Sequence, residues 1–177
     1  LGHAVPHPRV VYRRLPAAES GLSPAAADLA VAAQAAHWFD LPAYYAEVRR
    51  VARPGAVVAL VTYPVVTIDE PVDAVVHRFH GDVLGRYWAP ERRHVDERYR
   101  SLPFPFDEIA APALEMRVEW TATDLMAYVE TWSAVRALER ALGRGPIEAF
   151  GRDLADAWGV AGARTARWPL ALRVGRC

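Results

Sequence analysis

Two uninterrupted apolar runs, residues 28–34 and 56–63, constrain the fold of this chain more than any other feature of its sequence. Neither run alternates apolar with polar side chains, and this is typical of strands that are buried on both faces of a parallel sheet. Alanine favours helices, so a helix over residues 28–34 is the competing interpretation. The second run is the clearest strand in the chain, and Pro64 ends it.

The segment between the two runs has the pattern of an amphipathic helix. Asp40 is a suitable N-cap, Pro42 stands in the first turn, and residues 53–55 (Arg-Pro-Gly) are expected to end the helix. Apolar side chains recur three or four residues apart, at Leu41, Tyr44, Tyr45, Val48 and Val51. A strand, a helix and a strand joined by short turns form a βαβ unit, so the sequence predicts an α/β fold with a parallel pair of strands.

The sequence of the remaining residues predicts further helices and strands around this unit. Residues 65–110 are expected to form a helical insertion outside the sheet, and residues 114–120 alternate apolar with charged side chains, as half-exposed strands do. Because no linker divides the chain, residues 1–177 are predicted to form one domain. Further predicted elements are a short strand at Val10–Tyr12, a helix capped by Thr121 or Thr123, a helix from Pro146 to Gly159, and a final antiparallel strand at 166–174.

Composition excludes several classes of function. The 21 basic residues are balanced by 21 acidic residues, so the net charge of zero gives no electrostatic reason to expect nucleic acid or an anionic membrane as a partner. No run approaches the roughly 20 apolar residues of a membrane span. The single cysteine, Cys177, cannot form an internal disulfide, which agrees with a reducing compartment, and we expect a cytoplasmic protein.

Two segments carry a specific resemblance. Residues 34–40 read QAAHWFD and residues 45–55 read YAEVRRVARPG. Together they resemble a signature of class I S-adenosylmethionine-dependent methyltransferases, in the type 11 group that includes proteins similar to trans-aconitate methyltransferase. The resemblance implies the C-terminal portion of a Rossmann-like methyltransferase sheet with a helical lid, S-adenosyl-L-methionine as the methyl donor, and transfer of a methyl group to a small molecule, most simply to an oxygen or a carboxylate.

The resemblance also implies a cofactor site. Ala18 and Glu19 match a turn that meets the adenine, although Ala17 replaces the acidic residue that is usual there. Gln34 and Ala35 match residues near the methionine end of the cofactor. The family also has a Gly-rich loop after its first strand and an acidic residue at the end of its second strand. Neither feature has a counterpart in this sequence.

Gly143-Arg144-Gly145 does not supply that loop, because Glu148 stands where a third glycine is required. We therefore expect the N-terminal cofactor-binding part to precede Leu1 and the activity of this chain to be impaired. The alternative is a non-catalytic, methyltransferase-like domain for binding or interaction.

His37 is the candidate catalytic residue, because imidazole titrates near neutral pH and can accept a proton from a hydroxyl. A carboxylate acceptor is already anionic and needs no base. Trp38 is expected at the mouth of the sheet, where an aromatic ring gains cation–π stabilisation with a sulfonium.

The predicted lid supplies candidates for binding the acceptor. Trp88 and Tyr99 would be aromatic lining residues. Arg93 and Arg100 are seven residues apart, which places them on one face if a continuous helix joins them, and arginine binds carboxylates in a bidentate manner. No metal is expected, since His77 and His80 have ligand spacing but no convincing further ligands nearby.

Overall fold

A computed structural model describes residues 4–160 and 162–177. The chain forms two compact units. The first, called the sheet unit, contains the chain up to Val61 together with Leu102–Ala111 and Leu172–Cys177. The second, called the helical unit, contains Thr62–Ser101 and Pro112–Ala171.

The sheet unit is built on the predicted βαβ arrangement. Strand β1 (Ala27–Ala33) and strand β2 (Ala52–Thr62) pair in parallel, with helix α1 (Leu41–Val51) between them in sequence. The carboxylate of Asp40 accepts a hydrogen bond from the Ala43 N–H at 3.2 Å and caps α1 as expected. The strand interpretation of the first apolar run is confirmed, and the competing helix interpretation is wrong.

Strand β5 (Arg164–Arg176) contributes to both units. In the sheet unit its end pairs antiparallel with the short strand β3 (Asp107–Ile109), and the strand order is β1-β2-β5-β3. Gly175 allows this approach, because a Cβ there would lie 2.8 Å from Phe106 Cβ and 2.9 Å from Phe104 Cε1. The Arg173 guanidinium also holds β3 by two hydrogen bonds of 3.0 Å to the Glu108 carboxylate.

Two expectations for the sheet unit are wrong. Val10–Tyr12 is not a strand, because the segment pairs with no other described strand, and the Val10 N–H instead donates to His7 O in a turn. Strand β1 is not buried on both faces. Leu29 is 57% and Val31 53% exposed, since no described element packs over them, and β1 is the outermost strand of the sheet in the described part of the chain.

The helical unit contains the remaining elements. Within 65–110 there are two α-helices, α2 (Glu70–Arg78) and α3 (Arg92–Asp96), and the range ends in β3 rather than in a helix. Then follow β4 (Leu114–Trp120), α4 (Ala122–Glu130), α5 (Ser133–Leu142) and α6 (Gly145–Trp158). Strand β4 pairs antiparallel with the first part of β5, which confirms the strand, but the expectation of half exposure is wrong, because six of its seven residues are exposed.

Local signals explain most of these boundaries. Thr121 caps α4 through a capping box with Asp124, and Gly143 and Gly159, both with positive φ, end α5 and α6. Helix α2 packs against α6, and directly after α2 the ring of Phe79 stacks on Phe150 of α6, with the ring centroids 4.2 Å apart. The buried core around this stack includes Val72, Leu84, Leu125, Ala134 and Ile147.

Candidate functional site

The carboxyl end of β1 positions the first group of predicted site residues. Gln34 adopts a positive φ of 49° while its N–H still donates to Val61 O at 2.8 Å. The chain therefore leaves the sheet abruptly and forms a 3₁₀ turn over Ala36–Trp38 before Asp40 starts α1. In open α/β sheets, ligands bind at the carboxyl ends of the strands, so the structure places Gln34, Ala35 and the turn where a ligand is expected.

His37 and Trp38 lie together on this turn. Their ring centroids are 4.7 Å apart, and the rings are tilted by 45°. Ala36 is fully buried and anchors the turn to the sheet unit, whereas Trp38 is 55% exposed. Exposure of a large aromatic side chain at a ligand-binding edge leaves it accessible to a flat or cationic partner.

The predicted adenine turn is tightly anchored. The Glu19 N–H donates to Pro16 O at 3.0 Å, so this backbone donor is already used within the turn. Ser20 donates from its N–H and hydroxyl to Glu47 Oε1, at 2.9 and 2.5 Å. Glu47 is only 8% exposed and also accepts two hydrogen bonds from Arg50, so α1 holds the turn in place.

This role of Glu47 is not among the predictions made from the sequence. The signal that could have found it is the i,i+3 spacing of Glu47 and Arg50, which predicts an ion pair on α1.

We expect Glu47 to make the stability of the protein depend on pH. Hydrogen bonds from Arg50 and then Ser20 lower the pKa of Glu47 from 4.5 to about 2. The stabilisation is therefore complete above pH 4.5 and is lost as the pH falls from about 4.5 through about 2. In urea titrations from pH 7 to pH 2.5, the difference in free energy of unfolding between the wild type and Glu47→Gln should shrink over this range. The control is Glu97→Gln, at an exposed carboxylate. A difference that stays constant down to pH 2.5 would contradict the expectation.

The helical unit separates the predicted acceptor-binding residues. Trp88 and Arg93 line one cavity of about 440 Å³. Tyr99, in contrast, is fully buried with a φ of +59°, and Arg100 is exposed with its Nε donating to Glu97 O at 3.2 Å.

The expectation that Arg93 and Arg100 share one helix face is wrong. Helix α3 ends at Asp96, and positive φ angles at Arg98 and Tyr99 then turn the chain. A role of either arginine in binding substrate stays a prediction, as do the other predicted roles.

The other features of the structure give weaker indications of a functional site. A larger depression of about 670 Å³, lined by Arg49, Arg53 and Phe106 among others, lies at the amino end of β2, away from the ligand-binding edge. Among the described residues, no three His, Cys, Asp or Glu side chains converge in a way that could hold a metal ion. None of the described helices has the length and apolar character needed to cross a membrane.

Comparison with known proteins gives two informative matches. No family model matches the chain. A protein of Dictyostelium discoideum named "Putative methyltransferase" is 33% identical over 135 residues, which are 75% of this chain and 51% of that protein. The chain thus spans about half the length of the curated relative that it matches.

The second match is a solved structure from Anaeromyxobacter dehalogenans, described as "a Putative Type II Methyltransferase". It is 48% identical, covers 99% of this chain and 75% of its own, and superposes with a TM-score of 0.90. Sequence identity at this level, over three quarters of a protein with the same fold, reflects common descent, and the chain belongs to the methyltransferases.

Proposed function

We propose that the protein transfers a methyl group from S-adenosyl-L-methionine to an oxygen of a small-molecule acceptor. The observation that carries the proposal is the turn after β1, which presents His37 and Trp38 at the ligand-binding edge of a methyltransferase sheet. Cytoplasmic location and the absence of nucleic-acid or membrane partners remain predictions from composition.

The residues of the sheet unit fit part of this methyl donor. The exposed indole of Trp38 suits a sulfonium, because a π face attracts a cation. Gln34 and Ala35 would hold the methionine end, and the anchored turn at Ala18 and Glu19 would meet the adenine. When bound, the donor supplies an activated methyl group for in-line displacement.

The residues of this chain would align the two reactants and, for a hydroxyl acceptor, accept its proton. Alignment and exclusion of water account for most of the rate in such a displacement. His37 would accept the proton of a hydroxyl acceptor at an imidazole nitrogen, whereas a carboxylate acceptor would require no base.

The proposal is tested by transfer of a tritium-labelled methyl group. The purified chain and the full product of its gene are each incubated with labelled S-adenosylmethionine and panels of small carboxylic acids, alcohols and phenols. Label recovered in one class of acceptor supports the proposal and identifies the acceptor oxygen. If neither protein labels any acceptor, methyl transfer to these small molecules is excluded.

A second candidate function is binding without catalysis, by a methyltransferase-like domain. It is favoured by residues 4–160 and 162–177, in which no described strand is followed by a Gly-rich loop. For the same reason we expect the 177-residue chain to bind S-adenosylmethionine with a dissociation constant weaker than micromolar. Titration calorimetry measures this, and micromolar affinity would show that the contacts within this chain suffice.

A further inference from the structure

A π-helical turn interrupts the helical unit directly after α2. Residues Phe79–Val83 form this turn, in which the Leu84 N–H donates to Phe79 O, five residues back, at 2.9 Å. Single π-turns are rare in proteins, and those that occur are often found at functional sites. The cavity of about 440 Å³ lies beside it, and we call it the π-turn pocket; its lining includes His80, Gly81, Gly85, Trp88, Arg92 and Arg93.

Aromatic side chains make one side of the π-turn pocket rigid. The His80 ring lies 4.8 Å from Trp88 and 5.5 Å from Trp132, and the Trp88 indole N–H donates to His80 O at 3.1 Å. The Nε2 atom of His80 is buried and has no hydrogen-bond partner among the described residues. Buried polar atoms are nearly always paired in native proteins, so this unpaired nitrogen sets the wall apart from an ordinary core.

The charges around the π-turn pocket favour an anion. The Arg92 guanidinium stacks on Trp88 at 4.8 Å, and its Nε is fixed by Asp96 at 3.2 Å, so Asp96 offsets one positive charge. Arg93 is exposed, and its guanidinium has no ion pair or hydrogen bond within the described chain. Burial, reinforced by Arg92 and His77, lowers the pKa of His80 to about 4, so this imidazole is neutral near pH 7. Among the residues that line the pocket, Arg92, Arg93 and Asp96 carry formal charges, so the balance of the lining is one positive charge, on Arg93.

The size and the walls of the π-turn pocket limit what can bind. A volume of about 440 Å³ is at the lower end of the range for small-molecule sites. Gly81 and Gly85 leave open space where a Cβ would stand, and the indole of Trp88 offers an apolar surface.

From this arrangement we propose that the π-turn pocket binds a small monocarboxylic acid, with its carboxylate on Arg93 and the free N–H groups of Arg92, and its apolar body against Trp88. Two adjacent guanidinium groups suit a carboxylate, because each presents N–H donors in a planar fork. The proposal concerns binding and does not depend on methyl transfer.

Titration calorimetry of the purified chain with benzoate tests the proposal, and benzyl alcohol serves as the uncharged ligand of matched shape. Neither titration contains a methyl donor, so the result is separate from the test of methyl transfer. We expect benzoate to bind at least tenfold more tightly than benzyl alcohol. Equal affinity for the two ligands, or no binding of benzoate, overturns the proposal.

Two variants locate the binding. Arg93→Gln should weaken benzoate binding about tenfold or more, whereas Arg152→Gln, at an exposed arginine of α6 outside the lining, should leave it unchanged. Gly85→Val places a side chain in open space at the pocket and should abolish binding without lowering the melting temperature. If Arg152→Gln weakens binding as much as Arg93→Gln, or if Gly85→Val folds normally and still binds benzoate, the ligand is not in the π-turn pocket.

Discussion

His37→Gln is expected to lower kcat by about 10²- to 10⁴-fold when the acceptor is a hydroxyl, and to leave kcat nearly unchanged when the acceptor is a carboxylate. Glutamine keeps the size and polarity of the side chain but cannot accept a proton at neutral pH. The measurement is steady-state transfer of labelled methyl with saturating donor, made on the acceptors of both classes that the protein uses.

The matched control for this experiment is His77→Gln. His77 is an exposed residue of α2, outside the turn after β1, and its replacement should not change kcat with any acceptor. If the two variants lose the same activity, the effect is not specific to the turn. If His37→Gln lowers kcat equally with hydroxyl and carboxylate acceptors, His37 acts by positioning rather than by accepting a proton.

Phe150→Ala is expected to lower the free energy of unfolding by about 3–5 kcal/mol. Phe150 is 3% exposed and stacks on Phe79 between α2 and α6, so truncation removes a buried ring and leaves a cavity that two helices cannot easily close. Urea unfolding followed by tryptophan fluorescence measures the change. Five of the six tryptophans, namely Trp88, Trp120, Trp132, Trp158 and Trp168, belong to the helical unit, so this signal reports on that unit.

Leu142→Ala provides the comparison for Phe150→Ala. Leu142 ends α5 and is 54% exposed, so its replacement should change the free energy of unfolding by less than about 0.5 kcal/mol. A loss below about 1 kcal/mol for Phe150→Ala would mean that the Phe79–Phe150 stack is not part of a rigid core.

The elements that the sequence predicted well are those with strong local signals. These signals are the apolar runs at β1 and β2, the three- and four-residue spacing of apolar side chains in α1, and the capping box at Thr121. Each lies within or at the end of one element, so it can be identified without knowing the rest of the fold. Strand β3 has no such signal. Its three residues form a strand only because the end of β5 and Arg173 are adjacent, and these lie more than 60 residues away in sequence.

The candidate site shows the same division. The turn bearing His37 and Trp38 follows directly from the end of a predicted strand, so its position could be predicted. The positions of Tyr99 and Arg100 could not be predicted in this way. Arg98 and Tyr99 have positive φ, so the chain does not continue as a helix to Arg100. The anchoring by Glu47 and the π-turn at His80 also escaped prediction, since each depends on contacts made only after the chain has folded.

The exposed outer strand of the sheet unit bears on how the protein behaves in concentrated solution. Leu29 and Val31 stand on the face of β1 that no described element covers, and the outer edge of that strand carries backbone donors and acceptors in a row. An edge with these properties is a template for a strand from a second molecule. We therefore expect self-association through β1, rather than loss of the native fold, to set the concentration at which this chain begins to aggregate.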